Sequence, residues 1–394
     1  MFLFSFLLLI FCSFLKIKNH NRRHLFVLLY ILLSLMVVFQ DTIGADFYGY
    51  KALYYSIPKN FERMSLAQFV ESNRDPMFSF IVIFFDKIGV SYIGFRMLVS
   101  ALMMLFFFQF MRKYCTYSIL SLFVFYALYY IYWVYSCFRQ GFCMSYFLCV
   151  LFPLAIDKKY TKFYLLSIPM WGIHISSIVY LLAPFVISYD LTRKKIIYIF
   201  ALSIIVYFLS SGFSSIFIIF DRMAGYMELD SSDNKYFAFA FRILIILPML
   251  FVDPNKFNNR LFKISCNAFL FSFFLYCVFS FSELISARLC LYYRVFELVF
   301  ISFVSLVYFR RKFYFVSLVY FRRKFYFIVP YYLLLYIFLY VKFILFCINT
   351  QMYPSDVNFF NFPYLSIFSE ESVKSYYRGY FELTADFMYY IDYF

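Results

Sequence analysis

Arg96, Arg139, Arg242, Arg288 and Arg294, together with Asp46, Asp75 and His174, stand at or just inside the ends of long apolar runs. A charge at mid-bilayer depth costs at least about 2.5–3.5 kcal/mol, so such side chains are retained for a partner or a task. Taken singly, each arginine has another reading, since its aliphatic stem can carry the guanidinium out to the interface. Taken together, they describe a site. A guanidinium keeps its charge at any accessible pH and grips phosphate oxygens with two N–H groups at once, which makes a lipid-borne phosphate or pyrophosphate the natural ligand. A carboxylate or imidazole in the same place can accept a proton from an attacking hydroxyl. The chemistry indicated is transfer of a group from a lipid phosphate carrier. The sequence has no GxxxxGK loop and no HExxH, so ATP-driven transport and zinc proteolysis lack support, and no metal or cofactor is implied. The nine cysteines form no CxxC pair and read as buried thiols.

The elements that must carry these residues follow from composition. Of 394 residues 65% are hydrophobic and 14% charged, which excludes an ordinary soluble domain. The fold class expected is all-α: a single polytopic membrane helix bundle over residues 1–394, with about 12 transmembrane helices. Crossings are placed near 2–15, 25–39, 93–111, 117–137, 141–156, 163–173, 174–188, 196–220, 237–252, 261–281, 289–308 and 327–348. The first run has no basic residue before its apolar core and is followed by Lys16, Lys18, Arg22 and Arg23, which predicts an anchor with its N-terminus outside.

From that orientation the cytoplasmic loops hold those four residues, then Arg112 and Lys113, Lys158, Lys159 and Lys162, Arg193, Lys194 and Lys195, Lys256, Arg260 and Lys263, and the cluster from Arg310 to Lys324. Their only acids are Asp157, Asp190 and Asp253, so the net charge of +15 is an orientation signal and not a nucleic-acid surface. The extracytoplasmic parts are then a first large loop at 40–76, an interfacial helix at 77–92, a second loop at 221–236 and a tail at 349–394. The run 163–188 must turn near Gly172, which brings His174 to the outer face. VSLVYFRRKFYF occurs twice in tandem over 304–327, a duplication expected to form a basic cytoplasmic segment.

Several short motifs stand in an order that resembles a known family. Gly44-Ala45-Asp46-Phe47-Tyr48-Gly49-Tyr50 is similar to the GxDYxxY element of the Wzy/EpsG-type polysaccharide polymerases, and it follows the second helix as it does there. Asp75-Pro76-Met77-Phe78 resembles Glu-Pro-x-Phe, Arg139-Gln140 resembles Arg-Gln-x-x-Ala, and His174-Ile175-Ser176 resembles His-x-Ser/Thr. Arg288 with Tyr292-Tyr293 is similar to a late Arg-x-x-x-Tyr-Phe element. The sequence departs from the pattern at Gln40, where an arginine is usual, and at Phe47, Asp75 and Cys143.

The resemblance implies a membrane glycosyltransferase of O-antigen or exopolysaccharide assembly, in the bacterial cytoplasmic membrane, that joins undecaprenyl-pyrophosphate-linked repeat units on the outer face. With the residue chemistry above, it implies Asp46, His174 and Arg139 as catalytic residues, with Arg288, Gln140, Tyr50 and Asp75 binding substrate; Arg242 and Arg96 join the substrate-binding set on their charge and position alone. Partners would be the polyprenyl-pyrophosphate-linked oligosaccharide, membrane lipid, and a flippase and chain-length regulator of the same machinery. The alternative is a lipid-linked oligosaccharide flippase. That function asks for a charged path through the membrane and for repeats related by symmetry; apart from Glu297 and Lys342 the intramembrane charges cluster toward one side, and the sequence shows no half-to-half repeat.

Overall fold

The computed structural model describes residues 2–15, 19–41, 47–73, 75–217, 235–251, 253–257, 259–309, 330–341 and 368. Apart from an isolated bridge residue at Gln40, everything described is helix, turn or loop, with no strand. Asp46, the loop 221–234, most of the tandem copy and the tail apart from Phe368 lie outside the described residues.

The chain opens with α1 (Phe2–Phe14) and α2 (Asn19–Val38), followed by three shorter helices, α3 (Phe47–Arg63), α4 (Leu66–Ser72) and α5 (Pro76–Lys87). Next come α6 (Tyr92–Tyr114), then α7 (Ser118–Phe125) running into a π segment, Tyr126–Ser136. α8 (Phe138–Tyr146) passes through a second π turn, Phe147–Leu151, into α9 (Phe152–Ile156). α10 (Tyr160–Trp171) turns into a 3₁₀ segment (Ile175–Leu182) and α11 (Ala183–Ser188), and α12 (Arg193–Phe217) follows. The last helices are α13 (Lys235–Ile246), α14 (Arg260–Val278), α15 (Glu283–Arg294), α16 (Glu297–Phe309) and α17 (Pro330–Val341).

Four helical stretches, His20–Val38, Tyr92–Tyr114, Phe138–Ile156 and Arg260–Val278, are long and apolar enough to cross a membrane, and shorter apolar helices accompany them. Large apolar side chains face outward on α1, α10 and α12, for example Phe4 (67% exposed), Leu165 (61%) and Phe208 (64%), as a bundle solvated by lipid requires.

With lipid outside, burial alone does little to hold helices together, so close packing and interhelical hydrogen bonds matter more. The tyrosines supply them. The buried hydroxyls of Tyr30, Tyr130, Tyr293 and Tyr332 donate to the carbonyls of Met104, Leu33, Val179 and Ile245 at 2.6–2.9 Å, each joining two helices. The cysteines at 12, 115, 143, 266, 277 and 290 are buried free thiols.

Two cores result. The larger runs through the bundle, and a smaller one joins Phe47, Tyr50, Tyr54, Phe69, Phe78, Tyr92, Phe95 and Phe138 beneath a cap made of α3 to α5. The cap is locked at its ends: Ser65 and Gln68 close a reciprocal N-terminal box on α4, and the Tyr54 hydroxyl donates to the Val90 carbonyl at 2.6 Å.

One expected boundary differs. The apolar run 289–308 reads as a single crossing, but the helix breaks between Arg294 and Glu297, where Phe296 and Leu298 donate to carbonyls three residues back. Glu297 then sits in the first turn of α16, where its charge suits the helix N-terminus, and its partners hold it there. Continuous hydrophobicity cannot report such a break.

Candidate functional site

The site is assembled where the cap meets the end of the bundle. Pro76 occupies the first turn of α5, a position that loses no hydrogen bond, and Asp75 is the residue that caps it. A capping aspartate usually accepts from the backbone of its own helix. The Asp75 side chain makes no such bond, and its Oδ2 instead accepts from Arg139 Nη1 at 2.6 Å. The two side chains are 14% and 20% exposed, so the pair is largely desolvated yet open on one side.

Arg139 is gripped from its faces as well. Its guanidinium carbon lies 4.9 Å from the ring centres of both Tyr50 and Phe78, and Tyr50 packs edge-on against Phe138 at 4.3 Å. Stacking of this kind fixes the plane of the guanidinium, a planar donor suited to an anion's oxygens.

The backbone around Arg139 is unusual, since π-helical segments stand on both sides of α8. Such segments shift the helical register and are frequent at functional sites. Gly141 makes the approach possible, because a Cβ there would collide with the Trp133 carbonyl oxygen. The neighbouring Gln140 is buried and donates from Nε2 to the Arg288 carbonyl oxygen at 2.8 Å, tying α8 to α15.

His174 follows the turn at Gly172. The Gly172 carbonyl accepts from the Phe78 amide at 3.0 Å, and a Cβ on Gly172 would stand 2.7 Å from Met77 Cβ. The turn that carries His174 therefore docks directly on the helix that Asp75 begins. His174 Nδ1 is 2.7 Å from Ser176 Oγ, which is 2.9 Å from the Tyr292 hydroxyl. Burial, then the positive charges of Arg139 and Arg288, push the imidazole down to about 3. The ring is held neutral between two guanidiniums, and an anion placed among them would return basicity to it.

The structure thus brings together Tyr50, Asp75, Arg139, Gln140, His174 and Arg288. It does not bring Arg242 to them: that guanidinium lies over the Tyr276 ring at 4.7 Å, in a different cavity. Arg96 is buried in the cap core with its guanidinium 4.7 Å from the ring centre of Phe47, the residue after Asp46 in the chain. Ser176, Tyr292, Phe78 and Gly172 were missed as site residues. The first three stand inside the motifs that point to His174, Arg288 and Asp75, so the signal was present, but the motifs do not say which side chains touch.

A largely apolar helical bundle with guanidiniums, a carboxylate and a neutral imidazole gathered where its cap meets it defines a membrane protein equipped to hold an anionic, hydroxyl-bearing ligand. The sequence model of the EpsG family matches residues 23–366, and the chain belongs to that family, one of Wzy/EpsG-type polymerases. Family membership implies, broadly, a polymerase-like role in polysaccharide assembly with a lipid-linked glycan as substrate. No curated protein and no solved structure matches the chain.

Proposed function

We propose that the protein is a membrane glycosyltransferase that joins undecaprenyl-pyrophosphate-linked oligosaccharide repeat units at the outer face of the bacterial cytoplasmic membrane. The observation that carries this reading is the Arg139 site: a guanidinium clamped by Asp75, Tyr50 and Phe78, with Arg288 close enough that both guanidiniums act on the neutral His174 ring. In the reaction a hydroxyl oxygen of one unit attacks the anomeric carbon of the growing chain. The bond from that carbon to the pyrophosphate oxygen breaks, and the electron pair leaves with the carrier. Arg139 and Arg288 take up the charge that develops on the leaving group, the role to which fixed donors contribute most.

His174 serves as the base. For Nε2 to offer a lone pair, Nδ1 must carry the proton and donate to Ser176 Oγ, which in turn donates to the Tyr292 oxygen. Burial is the larger cause of its low basicity, and the pyrophosphate offsets the smaller part that Arg139 and Arg288 contribute, so substrate raises the basicity of the ring. Asp46 is assigned to acceptor positioning, and Gln140 and Tyr50 to sugar contact. The test is deletion of the gene followed by analysis of the surface glycan. Loss of long chains with single repeat units still attached supports the reading. Accumulation of lipid-linked units on the cytoplasmic side overturns it in favour of a flippase.

A further inference from the structure

Glu297 is fully buried in the bundle, and its hydrogen-bond and ion-pair partners lie outside the Arg139 site. The Tyr129 hydroxyl donates to one carboxylate oxygen and the Tyr336 hydroxyl to the other at 3.2 Å, while Arg294 Nε stands 3.5 Å away. The Arg294 guanidinium also faces the Tyr129 ring, 6.0 Å from its centre, and Arg242 is near enough for its charge to act on the same carboxylate. A buried ion pair adds little or nothing to stability over well-packed apolar residues of similar volume. Ionisable groups held at membrane depth mark a task instead.

The task follows from where the partners lead. Tyr129 belongs to the π segment Tyr126–Ser136, and the carbonyl oxygen of Trp133 in that segment packs against Gly141, two residues past Arg139 in α8. Arg294 ends α15, the helix that carries Arg288. Beside the site, Gln140 Nε2 donates to the Arg288 carbonyl at 2.8 Å, so α8 and α15 are already joined there. One joint leaves a helix able to tilt and turn about it. Glu297 supplies a second, tying the π segment to α15 six positions farther on, about 9 Å along the axis from Arg288 and about 120° around it. Two joints on different sides of α15 fix both its tilt and its rotation against α8.

We propose that Glu297 is a positioning residue for the reaction: through Tyr129 and Arg294 it sets the spacing of the Arg139 and Arg288 guanidiniums without touching either. The leverage is sufficient. A side chain reaches about 5–6 Å from the helix axis, so a turn of α15 by roughly 10° carries Arg288 about 1 Å. A displacement of that size at a reacting centre costs up to about a hundredfold in rate. This assignment rests on the polymerase reading and extends it.

The test sets two isosteric variants against each other. Tyr129→Phe and Tyr336→Phe each remove one hydroxyl from the same carboxylate, but only Tyr129 stands on the segment that leads to α8. The purified full-length forms are reconstituted in vesicles with the lipid-linked repeat unit extracted from the parent cells, and joining is measured below the lowest of their melting temperatures. Tyr129→Phe is expected to lower kcat at least about tenfold with KM near the wild-type value, and Tyr336→Phe to leave kcat unchanged. Glu297→Gln is expected to lower kcat at least as much as Tyr129→Phe, and the double variant of the two to be no slower than Glu297→Gln alone. A merely structural network predicts that the two tyrosine variants behave alike. Equal kcat for those two, or losses that multiply in the double variant, overturns the positioning role and leaves the polymerase reading standing. No joining by the wild type sinks both readings.

Discussion

Asp75→Asn should act on the reaction only through Arg139, and the size of its effect can be set from the geometry. The bond between Oδ2 and Nη1 is 2.6 Å long, and the two side chains are 14% and 20% exposed. Hydrogen bonds to charged groups contribute about 1.5–3 kcal/mol, and breaking a fully buried pair costs about 3–5 kcal/mol. Partial exposure here places the loss near the lower range, about 2 kcal/mol, equivalent to roughly thirtyfold in rate if all of it appears in the transition state. The aromatic clamp of Tyr50 and Phe78 survives the substitution, so Arg139 stays near its place but loses its orientation. The assay is the rate of unit joining in isolated membranes, followed by gel separation of chain lengths, for Asp75→Asn, Arg139→Gln and the double variant. If Asp75 works through Arg139, the double variant is no slower than Arg139→Gln alone. Losses that multiply in the double variant would refute the argument and give Asp75 a contact of its own with substrate.

Other outcomes follow from the same geometry. Gly172→Ala forces the His174 turn away from Met77 and should cost about 1–3 kcal/mol, read as a lowered melting temperature together with reduced joining, whereas Gly49→Ala, with open space around it, should change neither. His174 has a folded value of about 3 against the usual 6.5, so the folded state prefers the neutral ring. Its contribution to stability is therefore complete above 6.5 and is lost as pH falls toward 3, and His174→Gln should flatten the melting profile in that window by up to about 1 kcal/mol per pH unit. Glu297→Ala strands the Arg294 guanidinium and should destabilise by about 3–5 kcal/mol, while Glu297→Gln keeps acceptors for Tyr129 and Tyr336 and should cost less; equal melting temperatures for the two would refute the network. Ser176→Ala should lower the joining rate without changing substrate KM, because it removes only the group that orients His174 Nδ1.

Much of this arrangement was legible in the sequence, and the reasons differ by residue. Arg139, Asp75, His174 and Arg288 announce themselves because charge at the end of an apolar run is costly, so its presence alone is a signal. The helices are equally legible, since a backbone in lipid has few other ways to satisfy its hydrogen bonds. What the residues cannot report is grouping. All five arginines read as one phosphate site, yet a rotation of about 120° on α15 assigns Arg288 to one side and Arg294 to the other. The break before Glu297 was hidden for the same reason that the helix was visible: an apolar run is uniform, and only the partners of Glu297, Arg294 just before the break and Tyr129 and Tyr336 from other helices, give the break its purpose. Nor does the sequence show what its 41 tyrosines do; the hydroxyls that join helices to one another give several of them a structural role.

The central claim is that this site joins carrier-linked units, and it is tested most directly by reconstituting the purified protein in vesicles with lipid-linked repeat units on the side that faces the Arg139 site. The account predicts products carrying two or more units, one undecaprenyl pyrophosphate freed for each bond formed, and neither of these with Arg139→Gln. Movement of intact lipid-linked units across the vesicle membrane, with no carrier released, would contradict it.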